Sequence, residues 1–255
     1  MKRLNHFKAK AIIFDAMWGG WTLILAQRLT ALSGIEMRPA LCEAMGYDLE
    51  KRKVLSNGKL AATPMFKLYD LTVEVMTSKG LARAAAEKLV EEAWVIPEPV
   101  ELAKPFTDLR QLFGKLHKEG IQIAIATADD RAPTQALIEA FDLEEFIFSM
   151  ACADDGIPSK PAPDMVLTLC RRMNIDPAKV MVVGDTASDL KMARAAGAGL
   201  AVGVLSGVSN AGELAQYADV LIESVEELLF YSPHHASVSA EAGNLLSGLN
   251  PEIAA

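Results

Sequence analysis

The strongest constraint on the fold is a series of short apolar runs that are separated by stretches with helical periodicity. The runs are rich in Val, Ile and Ala and comprise residues 11–14, 121–127, 146–150, 180–184, 200–204 and 220–222. Strands that are apolar on both sides are typical of parallel sheets whose two faces are covered by helices. The helical patterns between the later runs comprise residues 134–140, 165–173 and 189–196. The sequence therefore predicts an α/β fold with a doubly wound, Rossmann-like parallel sheet.

The segment between the first apolar run and the others has a different composition. Residues 20–97 are rich in Ala, Leu, Met, Lys and Glu, and the helical pattern is clearest over 81–94. We interpret this segment as an inserted all-helical cap on a core made of residues 1–19 and 98–230. Residues 231–255 are rich in Ser, His, Ala, Gly and Asn, which predicts a mobile C-terminal tail.

The composition excludes several classes of protein. The net charge is −8 and the pI is about 5.1, which argues against binding to nucleic acid or to an anionic membrane surface. No apolar run reaches about 18 residues, so we expect no transmembrane helix. Three scattered cysteines are typical of reduced thiols, and we expect a cytoplasmic protein.

Polar residues follow several of the predicted strands. Asp15, Thr127 and Asp185 come at the carboxyl ends of apolar runs, where open α/β sheets bind their ligands. Lys160 precedes two prolines, and Asp189 comes four residues after Asp185 at a loop-to-helix junction. Each of these residues alone is more often a cap, a turn residue or a solvated charge. Their ordered combination predicts one site that holds an anion and a divalent cation such as Mg²⁺.

This chain resembles the haloacid dehalogenase-like (HAD) hydrolase superfamily, in its phosphoglycolate-phosphatase-like branch with a helical cap. The resemblance extends over about residues 9–230. It rests on Phe14-Asp15, on Thr127, and on the segments Ser159-Lys160-Pro161-Ala162-Pro163-Asp164, Gly184-Asp185-Thr186-Ala187-Ser188-Asp189 and Gly203-Val204-Leu205-Ser206-Gly207-Val208.

The resemblance implies a phosphatase that acts on a small phosphorylated metabolite. Asp15 would attack phosphorus and form an aspartyl-phosphate. Thr127 would form a hydrogen bond with the transferring group, and Lys160 would neutralise charge on the nucleophile and the phosphoryl oxygens.

The resemblance also implies a magnesium site. Asp185 and Asp189 would hold Mg²⁺ directly or through water, together with Asp15. The main-chain carbonyl of Met17 would complete the shell of ligands.

The first motif departs from the pattern of the phosphatases, because Met17 stands where they carry a second Asp that acts as general acid and base. A thioether cannot exchange that proton, and general acid–base catalysis is typically worth about 10²–10⁴-fold. Either a remodelled loop supplies the proton by another route, or the chain is a phosphonatase-like C–P hydrolase, a class that uses a cap lysine as a Schiff base. Lys51 and Lys53 lie in the cap here, but their spacing fits that class poorly and we interpret them as surface lysines. The third alternative is a catalytically impaired phosphate-binding relic. The dehalogenase branch, which lacks the acidic metal pair, is the least favoured.

Two further residue groups permit a structural and a functional interpretation. Trp18 and Trp21 flank Gly19-Gly20, and they form either an aromatic wall beside the nucleophile or packing at a hinge, which we favour. Asp129 and Asp130 are expected to be solvated acids of a loop.

Overall fold

The structure is a computed structural model that describes residues 4, 6–14, 21–51, 53–55, 58–61, 63, 65–94 and 107–233. Six strands form its main sheet, in the order β5-β4-β1-β6-β7-β8, and every neighbouring pair is parallel. Their bounds are β1 Ala11–Phe14, β4 Gln122–Ala126, β5 Ile147–Ala151, β6 Val180–Gly184, β7 Leu200–Val204 and β8 Val220–Ile222. The predicted parallel sheet is thus confirmed, with strand ends shifted by one residue at most.

Both faces of the sheet are buried, which explains why its strands are apolar throughout. Along β1, Ile12 and Phe14 belong to one hydrophobic cluster, whereas Ala11 and Ile13 belong to another. The first cluster is covered by helices α5 (Leu109–Lys118) and α6 (Arg131–Ala140). The second is covered by helices α7 (Asp164–Met173), α8 (Ala187–Ala195) and α9 (Ala211–Leu214). The doubly wound architecture predicted from the sequence is therefore confirmed.

The residues described between 21 and 94 pack around a third hydrophobic cluster. The α-helices of this part of the chain are α1 Trp21–Ser33, α2 Arg38–Met45, α3 Met65–Ser78 and α4 Arg83–Ala93. We refer to residues 21–94 as the helical block. The block is not all-helical as predicted, because β2 (Tyr47–Asp48) and β3 (Lys53–Val54) form a short antiparallel hairpin within it.

The predicted start of the mobile tail at Tyr231 is wrong. Tyr231 is fully buried, its hydroxyl donates to the carbonyl of Phe7 at 2.7 Å, and it accepts from the amide of Ala9 at 3.0 Å. The hydroxyl of Ser232 donates to Glu119 at 3.0 Å. Residues 231–233 therefore belong to the packed chain, and the rest of the predicted tail lies outside the described residues.

Two other expectations can be compared with the fold. All three cysteines, Cys42, Cys152 and Cys170, are buried free thiols, as predicted. Burial raises the pKa of Cys152 and of Cys170 to about 11. Within the described ranges, no helix is both long enough and apolar enough to cross a membrane.

Candidate active site

The candidate site lies at the carboxyl edge of the three central strands. The structure describes four of the predicted site residues, Thr127, Lys160, Asp185 and Asp189. The proposed nucleophile Asp15 and the substituted position Met17 lie outside the described residues, as does Trp18.

Thr127 and Asp185 lie level with each other on opposite sides of β1. Ile125 of β4 and Val183 of β6 are both paired with Phe14 of β1, and each site residue comes two positions later. Neighbouring strands are about 4.8 Å apart, so the main chains at Thr127 and Asp185 are separated by roughly 10 Å.

Thr127 is the first residue after β4, and its side chain is fully buried. Its amide donates to the carbonyl of Ala151 at 3.0 Å, which continues the pairing between β4 and β5. Its hydroxyl donates to Asp129 Oδ2 at 3.2 Å and accepts from the Asp129 amide at 3.0 Å. Asp129 is half-buried and holds this hydroxyl, so its assignment as a solvated loop acid was wrong.

Lys160 and Asp189 form a buried ion pair. Lys160 Nζ lies 2.6 Å from Asp189 Oδ1, and the two side chains are 4% and 1% exposed. An ammonium group at this depth has little contact with water, and it is paired with a carboxylate, as buried charges in proteins usually are. The pair confirms that the lysine before the two prolines is not a solvated surface charge.

The second oxygen of Asp189 is held by the start of helix α8. Asp189 Oδ2 accepts from the amide of Thr186 at 3.0 Å and from its hydroxyl at 2.6 Å, and the two residues form a capping box. Because both carboxylate oxygens accept hydrogen bonds from the protein, Asp189 is better suited to hold a metal ion through water than directly. The spacing Thr-x-x-Asp was the sequence signal for this arrangement.

Asp185 follows β6 and contacts a segment that the sequence analysis did not connect with it. Its Oδ2 accepts from the amide of Val208 at 2.7 Å, and its main-chain carbonyl accepts from the amide of Ser209 at 3.1 Å. Burial raises the pKa of Asp185, and the nearby charge of Asp189 raises it further, whereas the Val208 amide and Lys160 act in the opposite direction. The described residues around Asp185 therefore do not fully offset the cost of burying its negative charge.

This excess of negative charge fits a divalent cation. Among the described residues the site contains the carboxylates of half-buried Asp185 and buried Asp189 and one buried ammonium group, that of Lys160, and oxygen ligands of this kind are those that Mg²⁺ prefers. Ser209 is 2% exposed, and its hydroxyl has no hydrogen-bond partner in the described chain, which leaves a polar atom for a water molecule of a ligand shell. The described residues contain no group of three carboxylate, His or Cys side chains that could hold a metal by themselves.

The C–P hydrolase alternative requires a Schiff-base lysine in the helical block, and Lys51 does not fit that role. The side chain of Lys51 is 72% exposed and pairs with Asp48 at 3.4 Å, which does not suit a Schiff-base lysine. The side chain of Lys53 is outside the described part of the structure. Trp21 is buried and packs edge-on against Trp94 with ring centres 4.7 Å apart, which supports a packing role for Trp21.

Comparison with known proteins identifies relatives of this chain. A sequence model described as haloacid dehalogenase-like hydrolase matches residues 40–197, which is more than half of the chain. Probable phosphatase IndB from Dickeya dadantii (strain 3937) is 28% identical over 234 residues, which cover 90% of this chain and 93% of that protein. Phosphoglycolate phosphatase from Escherichia coli (strain K12) is 31% identical over 126 residues, which cover 49% of each chain.

Solved structures share the fold at low sequence identity. A predicted phosphoglycolate phosphatase from Haemophilus somnus 129PT superposes with a TM-score of 0.66 at 16% identity, covering 88% of this chain and 97% of its own. β-Phosphoglucomutase from Clostridium difficile has a TM-score of 0.61 at 15% identity, covering 94% and 99%. The resemblance inferred from the motifs is thereby confirmed, and the chain belongs to the haloacid dehalogenase-like hydrolase family.

Proposed function

We propose that this protein is a Mg²⁺-dependent phosphatase that hydrolyses a small phosphorylated metabolite through an aspartyl-phosphate. The observation that carries the proposal is the buried ion pair of Lys160 and Asp189 beside the half-buried carboxylate of Asp185 at the carboxyl edge of β6, with Thr127 level with it across β1. The phosphatase names of the relatives support the same reaction class.

The residues have separate roles in this proposal. Asp15, the residue after Phe14, attacks phosphorus as the bond to the leaving oxygen breaks, and water then hydrolyses the aspartyl-phosphate to release inorganic phosphate. The Thr127 hydroxyl, which donates to Asp129 Oδ2 in the structure, turns its single proton toward a phosphoryl oxygen when substrate binds. The Lys160 ammonium group neutralises the negative charge that collects at the reacting centre.

The proposed magnesium site uses Asp15, Asp185 and the main-chain carbonyl of Met17, with Asp189 acting through water. Bound Mg²⁺ would supply charge neutralisation for the phosphoryl group. The position of the Asp185 carboxylate beside buried Asp189 at the carboxyl edge of the sheet supports this assignment, because a cation there favours the charged form of both groups.

The organisation of the chain is part of the proposal. The helical block within residues 20–97 acts as a cap over a catalytic core made of residues 1–19 and 98–230, and it selects the metabolite. The acidic net charge of −8 and the lack of a spanning helix in the described ranges support a cytoplasmic enzyme that binds neither nucleic acid nor a membrane.

The nucleophile is tested by Asp15→Asn, which keeps the shape of the side chain and removes the attacking charge. We expect hydrolysis of an aryl phosphate in the presence of Mg²⁺ to fall roughly 10⁴-fold or more. Asp70→Asn is the matched control, since Asp70 is an exposed carboxylate on α3, and its activity should equal that of the parent. An Asp15→Asn protein that keeps most of the parent turnover would remove this residue from the mechanism.

The absence of an acid at Met17 is tested with phosphate esters of graded leaving-group pKa. Without a proton donor, charge accumulates on the leaving oxygen, so the rate should fall steeply as leaving-group pKa rises. Met17→Asp should flatten this dependence. If the parent hydrolyses alkyl esters rapidly and both proteins show the same slope, another residue already supplies the proton.

The same assays separate the alternatives to the proposal. Release of an aldehyde from a phosphonate substrate would favour the C–P hydrolase. Binding of Mg²⁺ and phosphate without turnover of any ester would favour the impaired relic.

A further inference from the structure

The segment Ser206–Ser209, which follows β7, donates two main-chain hydrogen bonds to Asp185. We refer to it as the 206–209 segment. The amide of Val208 donates to the carboxylate of Asp185 at 2.7 Å, and the amide of Ser209 donates to its main-chain carbonyl at 3.1 Å. A hydrogen bond to a charged carboxylate is roughly twice as strong as one between neutral groups. The direction in which the Asp185 side chain points therefore depends on where this segment lies.

Gly207 brings the segment this close to the carboxylate. A Cβ atom added at Gly207 would lie 2.1 Å from Asp185 Oδ2 and 2.3 Å from Asp185 Cβ. No side chain fits in that space without displacing Asp185 or the segment. The close approach of main chain to carboxylate is thus a built feature of the site, since only glycine permits it.

Val208 also packs into the helical block. Its side chain is 7% exposed and belongs to the third hydrophobic cluster. All the other buried residues of this cluster that the structure describes come from residues 21–93, between β1 and β4. One residue therefore contacts the block with its side chain and the carboxylate of Asp185 with its main-chain amide.

We propose that Val208 is a positioning residue that couples the seating of the helical block to the affinity of Asp185 for Mg²⁺. The inference rests on the proposed function, because it takes Asp185 to be a magnesium ligand. When the Val208 side chain is seated in the block, its amide holds Oδ2 and leaves the carboxylate in one orientation. When the side chain loses this packing, the amide is free to move and the carboxylate loses its fixed direction. Coupling of this kind is reciprocal, so Mg²⁺ also stabilises the seated block.

The test compares Val208→Ala with Val90→Ala. Both substitutions remove the same atoms from the same cluster, and Val90 is fully buried in α4 without a contact to Asp185 among its described interactions. We expect the dissociation constant for Mg²⁺, measured by calorimetry without substrate, to rise about 5- to 10-fold in Val208→Ala. It should remain at the parent value in Val90→Ala, although both proteins melt at a lower temperature. Val208→Ile, which retains the packing, should bind Mg²⁺ as the parent does.

A second readout follows the block itself. The three tryptophans of the chain are Trp18, Trp21 and Trp94, of which the two described ones pack together in the block. Addition of Mg²⁺ to the parent should therefore change tryptophan emission, and the change should be lost in Val208→Ala and kept in Val90→Ala. An effect on folding alone would not separate these two variants.

The outcomes distinguish the inference from the proposed function. If Val208→Ala binds Mg²⁺ as tightly as the parent, or if Val90→Ala weakens binding equally, the coupling is wrong while the magnesium site stands. If the parent does not bind Mg²⁺, or if Asp185→Asn binds it as tightly as the parent, the metal assignment and the coupling both fall.

Discussion

Replacement of Lys160 by Met is expected to destabilise the fold strongly, apart from any effect on catalysis. The ammonium group of Lys160 lies 2.6 Å from Asp189 Oδ1, and the side chains are 4% and 1% exposed. Removal of one member of a buried pair costs about 3–5 kcal/mol, because the other charge remains buried without compensation. A loss of this size corresponds to a decrease of roughly 6–20 °C in melting temperature for a protein of about this length.

The measurement is the free energy of unfolding in urea for the parent and for Lys160→Met. The matched control is Arg83→Met, which removes an ion pair of 2.9 Å whose side chains are 66% and 46% exposed, and which should cost less than about 1 kcal/mol. The double variant Lys160→Met/Asp189→Asn has no charge at either position and should recover part of the loss. If Lys160→Met costs no more than Arg83→Met, or if the two site substitutions are simply additive, the buried pair does not stabilise the site as we argue.

Three further predictions follow from other contacts. Gly184→Ala should lower both the melting temperature and the Mg²⁺ affinity, because the added Cβ would lie 2.4 Å from Asp189 Cβ. The control Gly114→Ala, whose added Cβ would lie 3.5 Å from the Phe146 ring, should lower neither. Burial and the neighbouring Asp154 raise the pKa of Asp130, so its charged form destabilises the fold at pH 7 and Asp130→Asn should raise the melting temperature there. The gain should disappear as the pH falls toward about 3.9, where the carboxyl group is protonated in the folded and the unfolded protein. A difference in melting temperature that does not change with pH over this range would contradict the assignment. Tyr231→Phe should cost about 1–3 kcal/mol in urea unfolding, since it leaves a buried main-chain amide without its acceptor, and an unchanged midpoint would show that water replaces the hydroxyl.

The parallel sheet could be predicted because burial on both faces leaves a strong pattern in the chain. Other parts of the fold leave weaker patterns. The hairpin of Tyr47–Asp48 and Lys53–Val54 has strands of two residues, which is too short for any periodicity to appear. Tyr231 precedes a polar segment of low complexity, and its burial depends on contacts with residues 7 and 9 at the other end of the sequence.

Some features of the candidate site could likewise be predicted from the sequence, and others could not. Asp185 could be predicted because a charged residue at the end of an apolar run is conspicuous, and Lys160 and Asp189 because of their places before two prolines and four residues after Asp185. The contact between Val208 and Asp185 could not, since it is made by a main-chain amide that every residue except proline possesses. The role of Asp129 was missed because an acid in a loop has the same composition whether it is solvated or holds a neighbouring hydroxyl.

The central place of β1 in the sheet has a consequence for synthesis of the chain. Ala11 pairs with Gln122 on one side and with Val180 on the other, so β1 has no partner in the sheet until β4 has been made, about half-way along the chain. At about 5–20 residues per second, this interval lasts roughly 5–20 s. During that time an apolar strand is exposed while the helical block, whose contacts are closer in sequence, can already fold. Until β4 has been made, β1 is thus a segment of the nascent chain that a chaperone would protect.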